Sequence, residues 1–164
     1  MAITKDELAA ILADHLKWVR NEGGKMADLS GANLIGAYLI GANLSRAYLG
    51  GANLPHTQVC PEEGAFICWK KLRGGLIAKL VVGANCERVS PIVGRKCRAD
   101  AAMVVRIEAP DGTDRNEGTS LYSEAFVYHV GQPVQVADFD PNPLVECSRG
   151  IHFFISRREA IEYE

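Results

Sequence analysis

The amino-acid sequence predicts a mainly β protein with some α-helix, arranged as three successive parts. Three observations predict this fold class: an amphipathic helical pattern over residues 4–21, a strict five-residue period over residues 27–56, and short β-rich runs beyond it. The resulting boundaries give an N-terminal capping helix (1–26), a repeat segment (27–56) and a compact antiparallel α+β domain (57–164).

Composition narrows the class of protein. The chain has 164 residues, a formal net charge of −2 and an apolar fraction of 48%, which are ordinary values for a globular protein. Its first residues are charged and amphipathic rather than signal-like, and no apolar run approaches the roughly 20 residues that span a bilayer. These features predict a soluble cytoplasmic protein without a membrane partner.

The five cysteines do not indicate a disulfide framework or a metal centre. Their number is odd and no two of them have CxxC spacing. A metal site would have to recruit Cys97, Cys147, His129 and His152, which lack recognised ligand spacing. The sequence therefore predicts reduced thiols, with no metal and no cofactor.

Residues 4–21 are predicted to form an amphipathic helix. Thr4 followed three residues later by Glu7 is a capping box, which satisfies free amides at a helix start. Gly23 and Gly24 are expected to end the helix, because glycine accepts the left-handed cap. The apolar stripe comprises Leu8, Ile11, Leu12, His15, Leu16 and Val19. We expect this stripe to pack on the repeat segment, with His15 contacting its first coil.

The repeat segment places an alanine and a leucine at every fifth position, a period that fits neither regular element. Five residues turn a helix by about 500°, which scatters the leucines, and an odd spacing alternates the faces of a strand. The backbone must instead turn a corner every five residues and return the same position inward. The expected inward leucines are Leu29, Leu34, Leu39, Leu44, Leu49 and Leu54.

The run ADLSG-ANLIG-AYLIG-ANLSR-AYLGG-ANLPH resembles the pentapeptide-repeat family, whose motif is A(D/N)LXX. The resemblance implies a short right-handed quadrilateral β-helix of about one and a half coils, with residues twenty apart paired. Asp28 would then lie beside Tyr48, and Asn33 beside Asn53. So short a coil needs covering at both ends, by the preceding helix and by the segment that follows.

The rest of the chain predicts strands with a small helix at its end. A loop is expected at 110–118 from its composition, and a helix after Ser156, where Glu159 completes a second capping box. The expected strands are 65–71, 75–82, 101–108, 124–130, 133–139 and 150–156.

Three motifs in this part resemble a domain that follows pentapeptide repeats in phage and bacterial proteins. They are GRKCRADAAMVVRIE, FVYHVGQPV and ECSRGIHFFISRREAIEY. The resemblance implies continuity of fold over roughly residues 66–163 and supplies no catalytic residues. It also makes a phage-encoded protein the expected setting.

Charge is divided unevenly within the C-terminal domain. Residues 69–106 carry nine basic and two acidic side chains, whereas residues 107–164 carry four basic and eleven acidic ones. The two segments either neutralise each other, with residues 95–98 on a solvated strand, or the basic segment binds a partner. The candidate partner-binding residues are Lys70, Lys71, Arg73, Arg95, Lys96 and Arg98.

Cys147 and His152 are the weak candidates for catalysis. The motif ECSRGIH brings a thiol and an imidazole within six residues, as a Cys–His nucleophile would require. The alternative is a small buried cysteine with a histidine bonded to a loop carbonyl. Enzymatic activity is left open, and a non-enzymatic interpretation is favoured.

The function predicted is a protein-interaction module that binds another protein, in a phage setting a host enzyme or defence complex. One alternative is a nucleic-acid or nucleotide binder that uses the basic residues of 70–106, and its binding would weaken steeply with salt. A second is a small transferase or hydrolase centred on Cys147 and His152. The oligomeric state is open and includes a homodimer.

Overall fold

The protein is described here by a computed structural model covering residues 3–39, 42–55, 58–92, 94–145 and 147–163. Two compact units make up the chain. The first unit is Met1–Thr57 with Pro91–Gly94 and Asn142–Cys147, and the second is Gln58–Ser90, Arg95–Pro141 and Ser148–Glu164. The predicted domain boundaries stay a prediction.

The first unit begins with helix α1, Lys5–Val19, close to its predicted extent. The predicted capping box is confirmed: the Glu7 amide donates to the Thr4 hydroxyl oxygen at 3.3 Å, and the Thr4 amide donates to Glu7 Oε2 at 2.9 Å. The predicted stripe faces inward, and Leu8 and His15 are its buried members. The helix start therefore follows from local sequence alone.

The end of α1 corrects the predicted glycine cap. Arg20 is the C-cap, and the left-handed residue that follows is Asn21, with φ 56°. The Asn21 amide donates to the Trp18 carbonyl at 3.1 Å and the Glu22 amide to the Lys17 carbonyl at 2.9 Å, which is the Schellman pattern. Asparagine replaces glycine here because its short polar side chain tolerates this conformation.

Gly24 is required for a different reason, which gives a testable prediction. A Cβ at Gly24 would overlap the carbonyl oxygen of Asp14, whereas a Cβ at Gly23 meets nothing within 4 Å, and both residues have positive φ. We expect Gly24→Ala to lower the free energy of unfolding by about 2–4 kcal/mol, and the control Gly23→Ala by about 1 kcal/mol. Urea denaturation measures both; equal losses would contradict the steric explanation.

The repeat segment pairs with itself at a spacing of twenty residues. Parallel bridges join Asp28 to Tyr48 and Asn33 to Asn53, so both predicted pairs are confirmed. The Leu29 amide donates to the Tyr48 carbonyl at 2.8 Å, and the Asn53 amide to the Ala32 carbonyl at 2.9 Å. Neighbouring turns of backbone are thus joined by hydrogen bonds.

Each five-residue step closes through one local bond. The alanine that opens a repeat donates its amide to the carbonyl of the preceding leucine, as Ala37 does to Leu34 at 3.0 Å. The same bond recurs at Ala32, Ala42, Ala47 and Ala52. This bond turns the chain between repeats, so that the next leucine also points into the common interior.

The repeat leucines form the core of the first unit together with α1. Leu29, Leu34, Leu39 and Leu44 are buried, and Leu49 and Leu54 are half-buried against the same cluster. His15 is fully buried, and its Nδ1 accepts the Ala27 amide at 3.1 Å, which confirms the predicted contact. The helix stripe and the leucines therefore share one apolar interior.

The second unit is built from short strands and one helix. Its strands are β1 Phe66–Lys71, β2 Ile77–Val82, β3 Arg88–Val89, β4 Cys97–Ala99, β5 Ala101–Glu108, β6 Asp114–Arg115, β7 Glu117–Thr119, β8 Val127–His129, β9 Pro133–Gln135 and β10 Ile151–Phe153. A 3₁₀ turn occupies Arg73–Gly75, and helix α2 is Arg157–Glu162.

All strand pairs of the second unit are antiparallel. One sheet has the order β1-β2-β5-β6, with β9 also on β5; a second has the order β10-β4-β3, and β7 pairs with β8. The first two sheets meet at an antiparallel bridge between Trp69 and Phe154, whose amides and carbonyls exchange two bonds of 2.8 Å. The residues around this bridge form the candidate site below.

Several of the predicted boundaries are wrong. The strands expected at 124–130, 133–139 and 150–156 are limited to Val127–His129, Pro133–Gln135 and Ile151–Phe153. The strand expected at 75–82 begins at Ile77, because the left-handed residues Gly74 and Gly75 form a turn before it. The loop expected at 110–118 contains β6 and the start of β7. Gly112, with φ 82°, closes a tight hairpin that lets Asp114 and Arg115 pair with β5.

The predicted fold class is confirmed at the level of a mainly β protein of α+β type with antiparallel sheets. The helix after Ser156 and its capping box are confirmed as α2. The core of the second unit contains Leu72, Leu80, Ile107, Tyr128 and Phe153. Among the described residues, no helix is both long and apolar enough to cross a membrane.

Candidate functional site

Lys70 occupies a position of β1 that the strand pattern reserves for the core. Along this strand Cys68 and Lys70 are buried at alternate positions, and Leu72 continues the pattern. The Lys70 side chain is only 8% exposed. Burying an ammonium group costs on the order of several kcal/mol unless another group compensates the charge. Its surroundings therefore decide what it can do.

The described contacts of Lys70 are neutral. Nζ donates to the carbonyl oxygen of His152 at 3.1 Å and lies 5.8 Å from the centre of the Tyr128 ring. No carboxylate among the described residues forms an ion pair with it. Burial, aided by repulsion from Lys96, lowers the pKa of Lys70 to about 8.

Lys96 brings a second cation to this part of the unit. It is 8% exposed, and its Nζ donates to the Tyr163 hydroxyl oxygen at 3.0 Å and lies 4.9 Å from the centre of that ring. Tyr163 also packs against Phe154, with ring centres 5.3 Å apart. Lys96 is thus fixed where it repels Lys70.

Arg98 corrects the interpretation of residues 95–98 as a solvated strand. Its side chain is 1% exposed, and a guanidinium nitrogen donates to the Asp140 carbonyl oxygen at 3.1 Å. A Cβ at Gly150 would lie 3.1 Å from Arg98 Cβ, so the absence of a side chain there makes room for the arginine. The described residues that cover Arg98 from this side are Asp140 and Gly150.

His152 lies directly across the β10–β4 ladder from Arg98. Its Nε2 is buried and has no hydrogen-bond partner among the described residues. Burial, followed by the positive charges of Lys70, Lys96 and Arg98, lowers the pKa of His152 to about 3. The imidazole is therefore neutral at pH 7, and one of its nitrogens is buried without a hydrogen-bond partner among the described residues.

The other three predicted basic residues make contacts within the second unit. Lys71 Nζ donates to the Ile161 and Tyr163 carbonyl oxygens at 3.1 and 2.6 Å, and so fastens the end of α2. Arg73 pairs with Glu124 at 2.6 Å. Arg95 pairs with Glu159. Both ion pairs link the basic segment to the acidic one; partner binding by the six residues stays a prediction.

The predicted catalytic pair is divided between the units. Cys147 is exposed and belongs to the first unit, whereas His152 belongs to the second. The Cys147–His152 nucleophile therefore stays a prediction.

Three buried thiols form a cluster that the sequence analysis missed. Cys60 Sγ lies 3.3 Å from Ser90 Oγ, and Cys60, Cys68 and Cys97 belong to one core. A hydrogen bond from Cys97, then Ser90 and the charge of Arg88, lowers the pKa of Cys60 below that of an ordinary thiol. Their separation in sequence gives no motif. Strand alternation could have indicated Cys68 in β1 and Cys97 in β4, but Cys60 lies outside the strands.

The clustered thiols are not arranged as a metal centre. Within the ranges that the structure describes, no group of three or more His, Cys, Asp or Glu side chains could hold a metal ion. Burial raises the pKa of Cys68, which keeps it a neutral thiol. This cluster is best described as interior packing with polar contacts.

The first unit offers a second surface of interest. A groove of about 580 Å³ runs between the start of α1 and the repeat segment, lined by Leu8, Leu12, Ile35, Ala37 and Tyr38 among others. Ile35 is 67% and Tyr38 74% exposed at its edge. Large apolar side chains held in water beside a groove are typical of a contact surface.

The twenty-residue pairing and the alanine–leucine interior belong to the repeat segment of the first unit. Residues 27–60 match the family described as Pentapeptide repeats (8 copies). Residues 56–160 match the Family of unknown function (DUF5758), and the chain belongs to that family. No curated protein and no solved structure matches the chain. The predicted combination of repeats with a following domain is confirmed.

Proposed function

We propose that the protein is a non-enzymatic interaction module whose first unit binds another protein. The observation that carries the proposal is the exposure of Ile35 and Tyr38 beside a groove on a frame of buried leucines. Aromatic side chains are enriched at protein interfaces and supply much of their binding energy. A hydrogen-bonded frame also loses little conformational freedom on binding.

We further propose that the repeat segment winds as a right-handed quadrilateral β-helix. The support is its pairing at twenty residues, its turn bond at every fifth residue and the inward position of every leucine described. Four sides of five residues account for all three features. Such a coil presents flat faces, on which Tyr38 and Tyr48 stand out from the surface.

The double variant Ile35→Asp/Tyr38→Asp tests the proposed surface. Both side chains are exposed, so we expect an unchanged melting temperature and at least about a tenfold loss of affinity for a partner, because hot-spot contacts are removed and charge is placed in an apolar groove. Partners are first captured from the native host with the full chain, and affinities are then measured by calorimetry with the purified protein.

The control is Tyr122→Ala, which removes an exposed tyrosine of the second unit. We expect it to leave partner affinity unchanged. The resemblance to phage proteins makes host enzymes and defence complexes the first partners to test, and light scattering tests a second copy of this chain. Equal affinity of the double variant and the wild type would reject this surface.

A further inference from the structure

The sulfur of Cys60 accepts a hydrogen bond that favours its thiolate form. The amides of Val59 and Cys60 both donate to Ser90 Oγ at 3.0 Å, and these two bonds occupy the lone pairs of that oxygen. The single hydrogen of the Ser90 hydroxyl is then left to donate to Cys60 Sγ, which lies 3.3 Å from Ser90 Oγ. A thiol that receives such a bond ionises more readily, because the donor stabilises the negative charge on sulfur.

Cys97 brings a second thiol to the same place. Val89 of β3 lies opposite Arg98 of β4 in an antiparallel register. The next residues of this register, Ser90 and Cys97, therefore point to the same face, with Cβ atoms about 4.5–5.5 Å apart. The sulfurs of Cys60 and Cys97 thus lie beside one hydroxyl, and the Cys97 thiol donates a hydrogen bond to Cys60.

Cys60 is buried but lies at the end of an exposed stretch of chain. The five residues that follow it, 61–65, are all exposed and adopt bends rather than a helix or strand. Hydrogen peroxide is little larger than water, so a local opening of residues 61–65 is enough to admit it to the Cys60 sulfur. The third core thiol, Cys68, lies within the paired strand β1 and is fully buried.

We propose that Cys60 and Cys97 form a redox site that hydrogen peroxide converts into a disulfide. In the first step the Cys60 sulfur attacks one peroxide oxygen, the O–O bond breaks, and the departing hydroxide takes the thiol proton and leaves as water. In the second step the Cys97 sulfur attacks the sulfur of the Cys60 sulfenic acid. The S–S bond forms, the S–O bond breaks, and the Cys97 proton leaves with the hydroxide as a second water. The two sulfurs lose two electrons, which the peroxide receives.

The hydrogen bond between the two thiols assigns their roles. It lowers the pKa of Cys60, which accepts the bond, and raises the pKa of Cys97, which donates it. Cys60 is therefore the sulfur that reacts with peroxide, and Cys97 is the one that closes the disulfide. The new bond closes a loop that contains β1, β2 and β3. All of these groups belong to the second unit, so this proposal and protein binding by the first unit can each fail alone.

Peptide mapping of the full wild-type chain tests the site. The folded protein is treated with an equimolar amount of hydrogen peroxide, its remaining thiols are blocked with iodoacetamide, and it is cleaved after glutamate without reductant. This cleavage separates Cys60, Cys97 and Cys68 onto the peptides 23–62, 88–108 and 64–87. We expect the peptides of Cys60 and Cys97 to be joined, with a mass lower by two hydrogens, and a thiol reductant to separate them.

Two variants test the roles of the thiols, in a Cys147→Ser background that removes the exposed cysteine. In Cys97→Ser the Cys60 sulfenic acid has no second thiol, so dimedone should trap it. Cys60→Ser should slow the loss of thiols to peroxide by at least about tenfold, because the favoured thiolate is gone. The control Cys86→Ser removes a half-buried thiol and should keep the disulfide.

The mapping of the wild-type protein does not depend on the stability of any variant. A main product that joins Cys60 to Cys68 overturns the proposal, since Cys97 would then not be the second thiol. Oxidation confined to Cys147, or a Cys60–Cys97 disulfide that forms only after unfolding in urea, overturns it as well.

Discussion

Replacing Leu34 with alanine should lower the free energy of unfolding of the first unit by about 3 kcal/mol. Leu34 is fully buried in the repeat core, and its amide donates to the Asn53 carbonyl at 2.8 Å. The shorter side chain leaves a cavity that the cross-linked turns cannot close. Amide hydrogen exchange at Leu29, Leu34 and Asn53 measures the effect, because these amides bond between turns.

The adjacent residue provides the control. Ile35 belongs to the same repeat but is 67% exposed. Ile35→Ala should change the opening free energy measured by exchange at the same amides by less than about 0.5 kcal/mol, as is usual for surface positions. Similar losses at both positions would mean that the leucines do not form the core, and the inward orientation of every repeat would be wrong.

Acidification should destabilise the second unit through His152. Its pKa falls from an ordinary 6.5 to about 3 on folding, so the unfolded chain binds more protons throughout that interval. Stability is complete above pH 6.5 and is lost as the pH decreases toward 3. Between pH 6.5 and 4.5, where most carboxylates remain ionised, the expected loss is about 2–3 kcal/mol.

The variant His152→Gln should remove most of this pH dependence, because glutamine does not titrate. Urea denaturation at a series of pH values gives the free energy of unfolding for each protein. His129→Gln is the matched control, since His129 is exposed beside Glu117. A wild-type curve that is flat over this interval would show that the imidazole is protonated without cost in the folded protein.

The repeat segment was predictable in detail because its information is local and redundant. The position of each leucine follows from a five-residue period that the sequence repeats six times. The pairs Asp28–Tyr48 and Asn33–Asn53 follow from the family resemblance. The capping boxes at Thr4 and Ser156 were equally predictable, since three residues determine each one.

The candidate site was predictable only in part. The sequence identifies Lys70, Lys96 and Arg98 as members of a basic segment, but a charge count does not state which face of a strand a residue occupies. The signal was present in β1, where Lys70 continues the alternation begun by Phe66 and Cys68. Arg98 could not be recognised as buried, because its cover comes from a loop some forty residues away, through Asp140.

Short strands were the other source of error. The stretch before Asp114 is rich in residues that favour turns, so its composition predicts a loop and hides a strand of only two residues. The three thiols of the core lie on segments far apart in the chain, so their meeting is a property of the tertiary fold.

The twenty-residue pairing restricts how this chain can change in length. A one-residue insertion between Leu29 and Tyr48 would rotate every later leucine out of the interior. Removal of a complete five-residue unit would keep the leucines inside, but Asp28 would then meet the residue that now stands at 53 rather than the one at 48. Gain of twenty residues keeps the leucines inside and leaves each later repeat in the same position relative to the earlier ones, whereas loss of twenty would leave too few repeat residues for any pair at this spacing. We therefore expect longer natural variants to differ by a step of twenty residues.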